Sequence, residues 1–90
     1  MILKVFTILD VKGEAYSRPF FDQATGSAVR SFIDEVNSTN ANSAVAAHPE
    51  DYTLFEIAEF DQVSAQLTVY EAKKSLGCGV DFKRSNLKAV

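Results

Sequence analysis

Apolar and polar positions along the chain change period twice, and each change marks an element. Residues 2–9 form a β-rich apolar run (Ile2, Val5, Phe6, Thr7, Ile8) that Asp10 ends. A run this short predicts a largely buried strand. Residues 11–14 follow as a turn, in which Gly13 is free to take a positive φ. Residues 15–21 return as a second strand, antiparallel to the first. Pro19 has no backbone donor, so this strand is an edge strand or ends near there.

The period then lengthens. Val29, Phe32, Ile33 and Val36 fall at i, i+3, i+4 and i+7, which predicts an amphipathic helix lying on one face of the sheet. Thr25 or Ser27 can cap its free N–H groups. Arg30, Asp34 and Glu35 face away, and Arg30 and Asp34 have the spacing of an exposed pair.

Residues 37–42 (Asn-Ser-Thr-Asn-Ala-Asn) stop the helix, and residues 43–47 suit one short helical turn. Pro49 pushes His48 towards extended backbone. Residues 52–60 alternate cleanly. Tyr52, Leu54, Glu56, Ala58 and Phe60 share one face, and Thr53, Phe55, Ile57 and Glu59 share the other. A turn at 61–65 leads into a returning strand at 66–70. Gly77-Cys78-Gly79 reads as a bend, residues 80–82 as a short fifth strand, and the chain from Arg84 onward as a frayed end. The expected fold is α+β: an antiparallel sheet from two β-hairpins (ββαββ) with one helix packed on one face. It forms a single domain over residues 1–90 with a basic, partly flexible segment at 83–90.

Composition sets limits on this picture. The chain is 47% hydrophobic and 23% charged, which argues against global disorder. No apolar run reaches the roughly 18–20 residues that span a bilayer, and the opening strand lacks a signal-peptide cleavage site. One cysteine, Cys78, permits no internal disulfide and suits a reducing, intracellular setting.

The net charge of −3 is unevenly spread. Residues 1–72 carry four cations (Lys4, Lys12, Arg18, Arg30) and eleven carboxylates, whereas residues 73–90 carry five cations (Lys73, Lys74, Lys83, Arg84, Lys88) and only Asp81. An acidic body with a basic end points to polyanion binding at that end, or to simple solvation of it.

Catalytic constellations are weak. His48 and Cys78 are the only residues of their types, too few for a zinc site of four ligands. As a nucleophile pair they compete poorly with the reading of a pre-proline loop histidine and a small residue between two glycines. Glu56 and Glu59 point to opposite faces of a strand. Gly77-Cys78-Gly79 lacks the lysine and following helix of a phosphate loop. The expectation is a non-enzyme without metal or cofactor. The aromatic residues divide between core and surface. Most fill the core of a one-helix domain, while Tyr16 and Tyr70, each able to keep one end wet, are the candidates for stacking on bases.

Several segments are familiar in order. Lys4-Val5-Phe6-Thr7-Ile8, Ala15-Tyr16 followed by Pro19-Phe20-Phe21, the long run from His48 to Asp61, and Lys74-Ser75-Leu76-Gly77 resemble the small non-structural protein of gokushovirus-type microviruses, tailless phages with circular single-stranded DNA genomes. The resemblance implies DNA binding in the switch to single-strand synthesis and packaging, in the host bacterial cytoplasm. It supplies no contact residues. The cations Lys73, Lys74, Lys83, Arg84 and Lys88, with Arg18 and Arg30, are the expected phosphate contacts, and Tyr16 and Tyr70 the expected stacking residues. The alternative is an interaction module, as a homodimer or as a cofactor of a phage or host replication protein. Its motive is the acidic body and the sheet edges, which can pair with another chain.

Overall fold

The computed structural model describes residues 1–84. Strand β1 (Ile2–Asp10) is followed by two short strands, β2 (Ala15–Tyr16) and β3 (Phe20–Asp22). Helix α1 (Thr25–Val36) and the single turn α2 (Ala44–Ala47) lead through a 3-10 turn at Pro49–Asp51 to β4 (Tyr52–Asp61) and β5 (Leu67–Cys78). The five strands form one antiparallel sheet in the order β2-β1-β4-β5, with β3 also on β1. This is the α+β architecture expected from the hydrophobic pattern.

Helix α1 covers one face. Phe6, Ala28, Phe32, Val36 and Leu54 are buried between helix and sheet, and Ile8, Phe20, Tyr52, Leu76 and Phe82 pack around them. Burying each large side chain stabilises the fold by about 1.5–3 kcal/mol, so this single layer carries most of the hydrophobic stabilisation.

The details depart from expectation at five places. The second strand splits at residues 17–19, where the Ser17 N–H still donates to the Ile8 carbonyl at 2.8 Å but its hydroxyl, not its carbonyl, accepts from the Ile8 N–H ahead of the donorless Pro19, and this division supplies the fifth strand. The positive φ of the turn falls on Glu14 (54°) and not on Gly13. Gly13 is needed for closeness instead: its N–H donates to Asp10 Oδ1 at 3.0 Å, and a Cβ there would lie 2.7 Å from Asp10 Oδ2. Helix α1 begins after Ala24 with no side-chain cap, because Thr25 lies inside the helix and turns its hydroxyl to Glu56. No ion pair joins Arg30 to Asp34.

The fifth departure concerns the chain beyond residue 70. Lys73, Lys74 and Ser75 belong to β5, and residues 79–82 form a 3-10 turn in place of a strand. Phe82 draws this segment into the helical layer, where its ring meets Phe32 edge-on at 6.1 Å. Gly77 (φ 135°) and Gly79 permit the change of direction: a Cβ at Gly79 would sit 2.6 Å from the Pro49 carbonyl oxygen. Among the described residues no helix is long and apolar enough to cross a membrane.

Candidate functional site

Among the described residues no layer covers the face of the sheet opposite α1, and strand register determines which side chains stand on it. Residues directly opposite in an antiparallel ladder share a face. Phe6 and Ile8 point to the helix, so Val5, Thr7 and Leu9 point away. Thr7 pairs with Phe55, and Leu9 pairs with Tyr16. The rings of Tyr16 and Phe55 meet edge-on at 6.0 Å.

An irregularity in β5 completes the cluster. The β4–β5 register passes from Ala58↔Val69 to Glu56↔Lys74, so Ile57 alone faces residues 70–73. Bulges of this kind re-aim side chains. Here the excess chain brings Lys73 back over the open face, with its Nζ 5.9 Å from the Tyr16 ring centroid. Thr7, Tyr16, Ser17, Pro19, Ile57, Val69, Tyr70 and Lys73 line a groove of about 330 Å3. Arg18 is exposed and lies in sequence between the lining residues Ser17 and Pro19. Thr7 is buried and its hydroxyl donates to the Ser17 carbonyl at 2.8 Å, which fixes the floor.

The same bulge anchors Tyr70. Its hydroxyl donates to Glu56 Oε2 at 2.5 Å, while Thr25 donates to Oε1 at 2.7 Å. Lys74 lies over the Tyr70 ring, 4.8 Å from its centroid. Glu56 is only 2% exposed. Burial pushes its pKa up, but the hydrogen bonds from Tyr70 and then Thr25, with the charges of Lys74 and Lys4, outweigh burial and hold it below the usual carboxylate range. Burial, followed by the bond to Glu56, raises the pKa of Tyr70. Beside them Lys4 and Glu59 form an ion pair at 2.6 Å.

The candidate binding residues therefore do not share one surface. Tyr16, Tyr70 and Lys73 gather at the groove, with Lys74 beside Tyr70 and Arg18 exposed on the segment between the lining residues Ser17 and Pro19. Lys83 is turned inward: its Nζ donates to the carbonyl oxygens of Val36 (2.9 Å) and Ala46 (3.2 Å), closing the ends of both helices. The Arg84 backbone N–H donates to Asn37 Oδ1 at 2.8 Å, so the start of the basic segment is fastened to the end of α1. Arg30 lies on the exposed side of α1, remote from the groove. Lys88 lies outside the described residues.

Sequence reasoning missed Phe55, Ile57 and Val69 as groove residues. Alternation had put Phe55 and Ile57 opposite Leu54, so the signal was present, but the period alone does not say which face the helix leaves open.

Residues 3–82 match the family model of the phage ORF5 protein. The chain belongs to that phage protein family. No curated protein and no solved structure matches it. Within this ORF5-family fold, the match reaches every element from β1 to the 3-10 turn that ends at Phe82, and so takes in the whole groove.

Two other clusters of this phage protein offer less. Donor atoms of His48, Glu50 and Asp51 lie within 4.8 Å of one another, on side chains brought together by adjacency in a single turn. Cys78 directs its thiol at the carbonyl oxygens of Pro49 and Glu50, at 3.6 and 3.5 Å.

Proposed function

We propose that this phage protein is a non-catalytic single-stranded-DNA-binding protein of a microvirus-type phage. It would act in the switch to single-strand synthesis and packaging, in the host bacterial cytoplasm. The observation that supports this reading is the Tyr16–Phe55–Lys73 cluster on the uncovered sheet face. An aromatic ring about half exposed, held from below by a second ring, is a platform on which any base can stack, worth roughly 1–3 kcal/mol per base. Lys73, now over the ring, moves onto the phosphate next to the stacked base, and Arg18 meets the neighbouring phosphate. Because bases are held by their π faces, binding is weakly sequence-specific.

The acidic remainder of the molecule favours this reading over duplex binding. Only a narrow cationic strip is available, which suits a flexible single strand that follows the groove. The family resemblance supports nucleic acid independently of geometry. Partnership with a phage or host replication protein is the competing reading, and it draws on the apolar part of the same face.

The test is a fluorescence-anisotropy titration of a labelled oligo-dT strand at two salt concentrations. A salt-sensitive complex weakened at least tenfold in both Lys73→Ala and Tyr16→Ala is expected. Absence of any complex at low ionic strength would overturn the proposal.

A further inference from the structure

The uncovered face has two halves of different chemistry. One half holds Tyr16, Phe55 and Lys73. The other, towards the β4–β5 turn, carries two rows of side chains that cross the whole sheet. Val5 pairs with Phe21 on β3 and with Ala58 on β4, and Ala58 pairs with Val69 on β5. One step along, Leu3 pairs with Phe60, and Phe60 with Leu67. The rings of Phe21 and Phe60 meet across the two rows at 5.9 Å. Neither row contains a charged or polar side chain. Val5 and Ala58 form a buried floor (4% and 2% exposed), while Phe21, Leu67 and Val69 stand 52%, 54% and 68% exposed, and Val69, which also lines the groove, marks where the two halves meet.

We infer that this half of the sheet is the contact surface between two copies of the chain, packed sheet to sheet about a two-fold axis. Charge identifies the occupant. A polyanion needs cations, and these rows offer none. A chain of net charge −3 repels its own copy wherever carboxylates meet, and the two apolar rows are where the faces can touch without that repulsion. Flat, twisted sheets whose apolar faces meet pack about 10 Å apart.

Area sets the strength. The exposed parts of Phe21, Leu67 and Val69, with the half-buried Leu3 and Phe60, amount to roughly 400 Å2 of apolar surface per copy, the size of a patch that is often functional on a monomer. Two such patches bury about 800–1,000 Å2, at the low end for specific association. The dimer is therefore weak and depends on concentration. The pairing does not depend on DNA binding. It doubles the number of Tyr16–Lys73 grooves on one particle, which explains how an acidic chain gains avidity for a polyanion.

Sedimentation equilibrium of the full chain from about 1 to 500 μM tests the inference, with Leu67→Lys and Phe21→Lys as variants. Each lysine enters the uncharged rows, and position 67 lies on an edge strand where a long polar side chain is tolerated. Circular dichroism melts establish that the variants are folded. The expected result is a rise from the 9.9 kDa monomer to twice that mass, with the midpoint shifted at least tenfold in Leu67→Lys. A wild-type chain that stays monomeric throughout overturns the inference, as does a dimer that survives both substitutions unchanged. A dimer that persists in Lys73→Ala while DNA binding is lost keeps the two surfaces distinct.

Discussion

The Tyr70 hydroxyl donates to a Glu56 carboxylate that is 2% exposed, and this bond ties the bulge of β5 to the middle of β4. Thr25 supplies the second donor from the first residue of α1. Three elements thus converge on one buried charge, at the helix end whose dipole favours an anion. Removing one partner of a buried hydrogen-bonded charge leaves it partly uncompensated, which costs about 1.5–3 kcal/mol. Tyr70→Phe is therefore expected to lower stability by that amount, read as a shift of the urea midpoint at constant slope. Glu56→Ala strands both hydroxyls and is expected to cost more. A Tyr70→Phe protein as stable as the wild type would show that the bond contributes nothing.

The same pair makes stability depend on pH at both ends. Glu56 is held below its ordinary pKa in the fold, so its contribution is present above the unfolded value, about 4.3, and is lost as pH falls through the lower folded value. Tyr70 is raised, so its contribution is complete below the unfolded value, about 10, and is lost as pH climbs through the higher folded one. Thermal melts from pH 2 to 11 are expected to show a plateau between these limits. The alkaline decline is expected to be smaller in Tyr70→Phe, because that variant has no phenol to ionise at this site.

Much of this arrangement was legible in the sequence, and the rest was hidden for identifiable reasons. The alternation of β4 gave Glu56 the same face as Leu54, which already implies a buried acid in need of donors, but it also put Ala58 and Phe60 there, and the irregularity opposite Val5 and Phe6 turns those two to the other face. The donors were not legible. Thr25 has the composition of a helix cap, and Tyr70 reaches Glu56 only because residues 70–73 bulge out of register. An edge strand with one face uncovered has no apolar period to betray it, so Lys73-Lys74-Ser75 reads as a basic segment and not as sheet. The grouping of the described cations at that end, Lys73, Lys74, Lys83 and Arg84, dissolved for a different reason. Proximity in sequence did not survive a turn that sends Lys83 to the helix ends and leaves Lys73 on the open face.

That division predicts the salt dependence of DNA binding. If Lys73 and Arg18 are the phosphate contacts of each chain, log K is expected to fall against log salt with a slope of about −1.4 on single strands, at 0.7 per neutralised phosphate. Five contacts from the C-terminal cations would give about −3.5. The slope is measured by anisotropy between 25 and 200 mM salt (about one decade), and Lys73→Ala is expected to halve it. A wild-type slope near the larger value would return the phosphate contacts to the C-terminal end.

Lys83 separates a structural cation from a binding one. Its ammonium donates to the carbonyl oxygens of Val36 and Ala46, groups that the ends of α1 and α2 leave unpaired. Its charge also opposes the negative end of the α1 dipole. Lys83→Met keeps the aliphatic stem and removes only the donors, so the expected cost is about 1–2 kcal/mol in a urea titration. For a domain of this size that corresponds to a drop of roughly 4–16 °C in Tm. The DNA affinity of the folded variant is expected to stay within twofold of wild type, because an ammonium that satisfies two carbonyls is not available to a phosphate. A variant of unchanged stability that loses DNA binding would reverse the assignment: the lysine would then leave the helix ends in solution and act on the nucleic acid.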